Sequence, residues 1–228
     1  MAQSSPPPVE RAFTLIELLV VIATITILAA ILVPAVSSTL ERGKAIKDLS
    51  NLRQIGAATQ MYMNDNGGVV FSTATPWMTQ LEQNQKYLSR WAVLQSPFDK
   101  RTPSEAGTGM PVSPVSYGIN PNIWGQLADT ITKPTSFIVF APTQDNSPKV
   151  DFQGTAATLV TQGITVLAAA SRPGGTATGG THNSRTKINA LFADWHVETM
   201  PWSGTGPAFT NSTATATDPD GRLRWYLQ

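Results

Sequence analysis

Two hydrophobic patterns divide the chain. Residues 18–33, LLVVIATITILAAILV, carry no charge, and the apolar run extends through Pro34 and Ala35 to Val36. A helix resting on a soluble core shows a polar stripe, but this segment is apolar on every face. Carried to Val36 at helical rise, it covers roughly 28 Å, close to the thickness of a bilayer's hydrocarbon core. Its polar side chains, Thr24 and Thr26, can return hydrogen bonds to their own helix. We therefore read it as membrane-spanning rather than as a buried core helix. A cleavable secretory signal is the other alternative. The run is long for one, and no small-residue cleavage site follows it directly.

Beyond Pro34 the helical pattern continues. Leu40, Ile46, Leu49, Leu52, Ile55, Tyr62 and Met63 form an apolar stripe, leaving Arg42, Lys47, Asp48, Arg53 and Gln54 for other faces. A helix over residues 13–64 would be roughly 78 Å long. Pro34 is the expected kink, with Gly43 and Gly56 as softer points. The upper half is expected to lie on a sheet and the lower half to project. Asn64-Asp65-Asn66-Gly67-Gly68 then stops the helix with residues that tolerate positive φ.

From Val69 the pattern changes to short β-rich runs between long turns. Strands are expected over 91–94, 115–119, 136–141, 158–166 and 188–197. Residues 171–181 and 203–221 are low in complexity and read as exposed loops. No repeat of 20–50 residues is evident. The fold class that follows is α+β, with a long N-terminal helix on a β-rich head.

Composition narrows the chemistry. Charged residues make up 14% of the chain and the formal net charge is +1, against about 25% charged in a typical soluble domain. That balance argues against a basic nucleic-acid-binding surface. The absence of cysteine excludes a disulfide framework, a thiolate metal site and a cysteine nucleophile, and two histidines exclude a three-histidine metal centre.

Few side chains remain as candidates. His182, Asp194 and His196 could in principle hold a metal with open positions. The spacing does not place the three on one face, because Asp194 and His196 are period-two neighbours on the expected strand and His182 is remote. The plainer reading is that His182 anchors a glycine-rich loop and Asp194 caps a turn. Asp218 and Asp220, in Asp218-Pro219-Asp220-Gly221, resemble half of a calcium loop. The third ligand and the closing Glu are missing, so a simple turn is the reading. Pro173-Gly174-Gly175 lacks a phosphate-loop ending, and no G-x-S-x-G occurs. The six tryptophans are scattered as core residues would be. The basic C-terminal residues Arg222 and Arg224 are too few to argue a nucleic-acid surface.

The run Arg11-Ala12-Phe13-Thr14-Leu15-Ile16-Glu17 and the apolar text after it resemble the class III signal of type IV pilins and type II secretion pseudopilins. The resemblance implies a leader over residues 1–12, cleavage by prepilin peptidase between Ala12 and Phe13, and methylation of the new amine on Phe13. This chain has Ala12 where the family usually has Gly. Glu17, a carboxylate at the start of a lipid-embedded helix, reads by itself equally as a side chain that snorkels to the interface, favoured by the helix N-terminus; the resemblance implies a further use for it. In an assembling filament it would pair with a neighbouring subunit's N-terminal amine. A wrong axial register would leave both charges unpaired, so such a pair specifies register better than it adds stability.

A second resemblance lies further along. Ser50 to Gly68, SNLRQIGAATQMYMNDNGG, together with the late text around Asp194, resembles prepilin-like proteins of planctomycetes and verrucomicrobia. Those proteins carry a His, nine residues, then Asp-Gly. Here eleven residues separate His182 from Asp194, and Trp195 replaces the Gly. Trp is poor at the positive φ of a two-residue hairpin, so the turn is expected to be shifted or widened.

These resemblances imply a pilin-like architecture: leader 1–12, transmembrane or filament-core helix 13–36, upper helix 37–66 and β-rich head 67–228. They imply a non-enzymatic, cofactor-free structural subunit in the inner membrane, with the N-terminus cytoplasmic and the head periplasmic or extracellular. The implied partners are prepilin peptidase, other pilin-like subunits and membrane lipid, with no nucleic acid. A type II secretion pseudopilin and a non-polymerising, surface-anchored binding module are the alternatives. Arg42, Lys44, Lys47 and Arg53 oppose the orientation, since the positive-inside rule alone puts that side in the cytoplasm.

Overall fold

The computed structural model describes residues 14–73, 75–82, 86–101, 114–120, 122–143, 152, 180–183, 186–201, 223 and 227. The expected strand over 158–166, most of both low-complexity segments, the Ala12–Phe13 junction, Asp218 and Asp220 lie outside these residues. One helix, α1, runs from Leu15 to Asp65 and includes Pro34. The chain divides into two compact units, one ending at Leu40 and the other beginning at Glu41.

In the first unit every described residue is exposed. This stretch of α1 has a mean hydropathy of 2.8 over its most apolar window. Among the described residues, α1 is the one helix long and apolar enough to cross a membrane. Its hydroxyls close on the helix itself. Thr24 donates to the Val21 carbonyl, Thr26 to Ile22, Ser37 to Val33, and both Ser38 and Thr39 to Ala35. Such bonds leave the helix surface without exposed donors.

The second unit is an α+β head. From Glu41 onward α1 buries Asp48, Asn51, Leu52, Ile55, Gly56, Ala58, Thr59 and Tyr62. That set differs from the expected stripe: Ile46 is exposed, and so is Leu40 in the first unit, while Asp48 is fully buried. The helix ends as its residues dictate. The Gly68 N–H donates to the Met63 carbonyl at 2.9 Å, with Gly67 and Gly68 at φ of 64° and 84°, a six-to-one closure that satisfies a terminal carbonyl.

Helix α2 (Trp77–Glu82) was not expected from the sequence. Trp77, Met78 and Leu81 fall on one helical face and are buried, a spacing that six residues barely display. Four strands form an antiparallel sheet in the order β1 (Tyr117–Ile119), β2 (Ile138–Pro142), β3 (Lys187–Phe192) and β4 (Val197–Pro201). Pairing of Asn189 with Thr199 and of Leu191 with Val197 sets the β3–β4 register, and a bulge interrupts β2 against β3.

Two expected strands are corrected. Residues Trp91–Leu94 form a 3-10 turn that sends Val93 and Leu94 inward. A four-residue apolar run carries too little period to decide between strand and turn. The expected strand over 188–197 is instead nearly all of β3, a loop and the first residue of β4.

Alternation along β3 sorts the head into two layers. Leu191 joins Leu52, Ile55, Phe137 and Phe140 in the main core, whereas Ile188, Ala190 and Phe192 join Ile138, Ala141 and Met200 on the other face. An aromatic chain, Tyr62 to Phe71 to Trp77 to Phe140, links α1 to β2 with ring centroids 4.8–6.1 Å apart. Gln80 fixes the loop carrying Phe71, accepting from Ser72 N–H and Tyr62 Oη and donating to the Ser72 and Thr75 carbonyls. That clamp holds Phe71 at a φ of 58°, an unfavourable region for an aromatic residue.

Candidate functional site

The first turn of α1 is built by Thr14 and Glu17. Thr14 N–H and Oγ1 both donate to Glu17 Oε2, at 2.9 and 2.7 Å, and Glu17 N–H donates to Thr14 Oγ1 at 3.3 Å. Ser or Thr at the N-cap with Glu three residues later is a reciprocal capping box, which uses donors the first turn leaves unmatched. Glu17 Oε1 has no hydrogen bond to a described residue. The carboxylate thus serves its own helix with one oxygen and presents the other.

His182, Asp194 and His196 do not converge. His182 is buried, its ring stacks on Phe98 at 5.7 Å, and its Nδ1 lies 3.0 Å from Thr181 Oγ1. Burial holds its pKa below the ordinary imidazole range; nearby Glu41 pulls it up and Lys187 pushes it further down. His196 instead stacks on Phe192 at 4.4 Å, bonds Asp194 through Nδ1, and has Glu198 3.7 Å from Nε2. The two environments share no residue. Asp194 and His196 also lie in the β3–β4 loop, not side by side on a strand. Asp194 Oδ1 accepts from His196 N–H at 3.2 Å, which caps the turn. Among the described residues no group of three or more His, Asp or Glu is placed to hold a metal ion.

The β3–β4 loop shows how the missing glycine is accommodated. Trp195 N–H donates to the Phe192 carbonyl and Phe192 N–H to the His196 carbonyl, both at 3.0 Å. This makes a three-residue loop, wider than a two-residue hairpin, that needs a left-handed residue at its third place. Trp195 takes that place itself at a φ of 70°.

Sequence reasoning missed Asp48. It was assigned to an outer face of α1, yet it is fully buried. Its Oδ1 accepts from Ser96 Oγ and Tyr117 Oη, each at 2.6 Å, and its Oδ2 from Asn189 Nδ2 at 2.9 Å. Asn189 Nδ2 also donates to the Ala45 carbonyl, and its Oδ1 accepts from Thr199 Oγ1 at 2.7 Å. Neighbouring Ser116 donates to Asp99 Oδ2 at 2.6 Å, and Arg101 clamps that carboxylate. One buried carboxylate therefore ties α1 to the 95–101 loop, β1 and β3. Burial pushes its pKa up against the three hydrogen bonds, and Tyr117 is raised well above its ordinary value by burial and then by the Asp48 charge. The signal was present in the sequence, because Asp48 is four residues before Leu52 and seven before Ile55 and so falls on the buried face.

No protein-family model matches this chain, and no curated protein or solved structure matches it either. A buried carboxylate satisfied by hydroxyl and amide donors is suited to holding elements in register.

Proposed function

We propose that the chain is a membrane-anchored, prepilin-like structural subunit, cut by prepilin peptidase between Ala12 and Phe13 and assembled into a type IV pilus-like or pseudopilus filament. It acts without enzymatic turnover or cofactor. Its N-terminus lies in the cytoplasm, and the pilin-like head faces the periplasm or the exterior. The observation carrying this reading is the Glu17 carboxylate at the mouth of the uncharged, exposed stretch of α1 over residues 18–40, five residues into the chain that cleavage would leave.

That placement makes physical sense for assembly. Helix capping occupies Oε2, and Oε1 remains for the methylated Phe13 amine of a neighbour. Packing the apolar helices together would exchange lipid contacts for helix contacts, and the ion pair would reject wrong axial registers.

N-terminal mass spectrometry of protein from native membranes tests the proposal. The expected chain begins at a methylated Phe13. A membrane-held chain that retains residues 1–12 overturns processing, and a non-polymerising anchored binding module would then replace this reading.

A further inference from the structure

Exposed cations crowd one short stretch of the head's helix. Arg42, Lys44, Lys47 and Arg53 are exposed, and none forms an ion pair with a described residue. The acids of that stretch do not offset them: Asp48 is buried and bound to Ser96, Tyr117 and Asn189, leaving half-exposed Glu41. Ile46 is 67% exposed among the cations. In chain order the cluster opens directly after the membrane-length apolar run, with Arg42 six residues beyond Val36.

We propose that Arg42, Lys44 and Lys47 form a belt that binds the phosphates of anionic phospholipid headgroups; this rests on the membrane-anchored reading above. Basic residues just beyond a membrane span are drawn to anionic lipid, each gaining about fivefold in surface association. Long aliphatic stems let Arg and Lys lie along an apolar boundary beside Ile46 while their charges stay hydrated. The hydroxyls of Ser37, Ser38 and Thr39 are returned to their own helix, so none of them competes for a headgroup phosphate. Three cations in a chain of net charge +1 are too few for nucleic acid, where binding grows with many phosphate contacts. Arg53 lies eleven residues past Arg42, about 16 Å further along the helix. In chain order it is the farthest of the four cations from the apolar run, so Arg53 falls outside the belt.

The test uses the full chain reconstituted into vesicles of phosphatidylcholine alone or with phosphatidylglycerol added. Flotation after an alkaline wash reports insertion, and acylation by a water-soluble amine reagent reports exposure of Lys44 and Lys47, with exposed Lys100 as reference. On phosphatidylglycerol vesicles both lysines should label about fivefold more slowly than on phosphatidylcholine. High salt should remove the difference, Arg42→Gln should reduce it, and Arg53→Gln should leave it unchanged. Equal labelling on both vesicles by a chain that floats overturns the belt alone. Equal protection by inorganic phosphate on phosphatidylcholine vesicles overturns lipid as the ligand. A chain that does not float overturns the membrane reading and the belt with it.

Discussion

Trp195 packs against Gly56. A Cβ at that glycine would stand 3.6 Å from indole Cε3 of Trp195, and 3.1 and 3.2 Å from the two Leu191 methyls. The helix thus lacks a side chain where the hairpin tip meets it. Trp195 holds a left-handed φ of 70° there, a conformation costing an L residue about 1–2 kcal/mol. Contact of the half-buried ring with the core offsets that strain.

Enlarging Gly56 should therefore destabilise the head. Gly56→Leu is expected to cost about 1–3 kcal/mol through overpacking against Leu191 and Trp195. Trp195→Gly relaxes the backbone but removes the ring, and should also lower stability, by about 1–2 kcal/mol. Denaturant unfolding of the full chain in detergent measures both, and a more stable Trp195→Gly chain would show that the ring does not compensate for the strain.

Removing the Asp48 carboxylate leaves three buried donors without their acceptor. Asp48→Ala should cost about 3 kcal/mol, and Tyr117→Phe about 2 kcal/mol, since hydrogen bonds to charged groups are the costly ones to lose. The double variant should lose less than the sum, because both act on one network. Additive losses in the same unfolding measurement would contradict a shared network.

Two buried groups should give opposite pH dependences. Burial lowers the pKa of His182, so its contribution is complete above about 6.5 and is lost as pH falls through the folded value. His182→Phe, which preserves a ring against Phe98, should remove that acid-side loss. Asp48 is raised, so its contribution is present below the ordinary carboxylate value of 3.8 and fades as pH rises through the folded value. Asp48→Asn should flatten that second slope. Melting temperatures measured across pH for the three chains check both signs.

Glu17 caps its own helix, and the proposed function gives it a second, separable duty, pairing. Glu17→Gln keeps a capping residue at the same place but removes the charge. It should retain first-turn amide protection and membrane insertion while losing filament assembly. Thr14→Val should do the reverse, speeding amide exchange in the first turn while assembly persists. Filaments formed by Glu17→Gln at the wild-type level would remove the ion pair from the mechanism.

Much of the helix was legible because its information is local. The uncharged run, the return bonds of Thr24 and Thr26, and the stop at Asn66-Gly67-Gly68 each depend on residues within one or two turns. Strands near 117–119 and 138–142 were legible for the same reason, since β-rich composition marks short strands. Asp48 was misplaced because a carboxylate is read as outward unless its partners are known. Those partners, Ser96, Tyr117 and Asn189, are 48, 69 and 141 residues away. The 91–94 turn was misread, and α2 was not foreseen, because four to six residues cannot express a period.

By itself the sequence determined a long apolar helix, its stop and a β-rich head, since each follows from neighbouring side chains and backbone preference. Tertiary structure alone decided which partners satisfy Asp48, which rings His182 and His196 stack on, and that Trp195 occupies a glycine's backbone region. The reason is energetic: a buried charge or a strained φ is unfavourable taken locally, and only partners brought from distant strands and loops make it the lowest state.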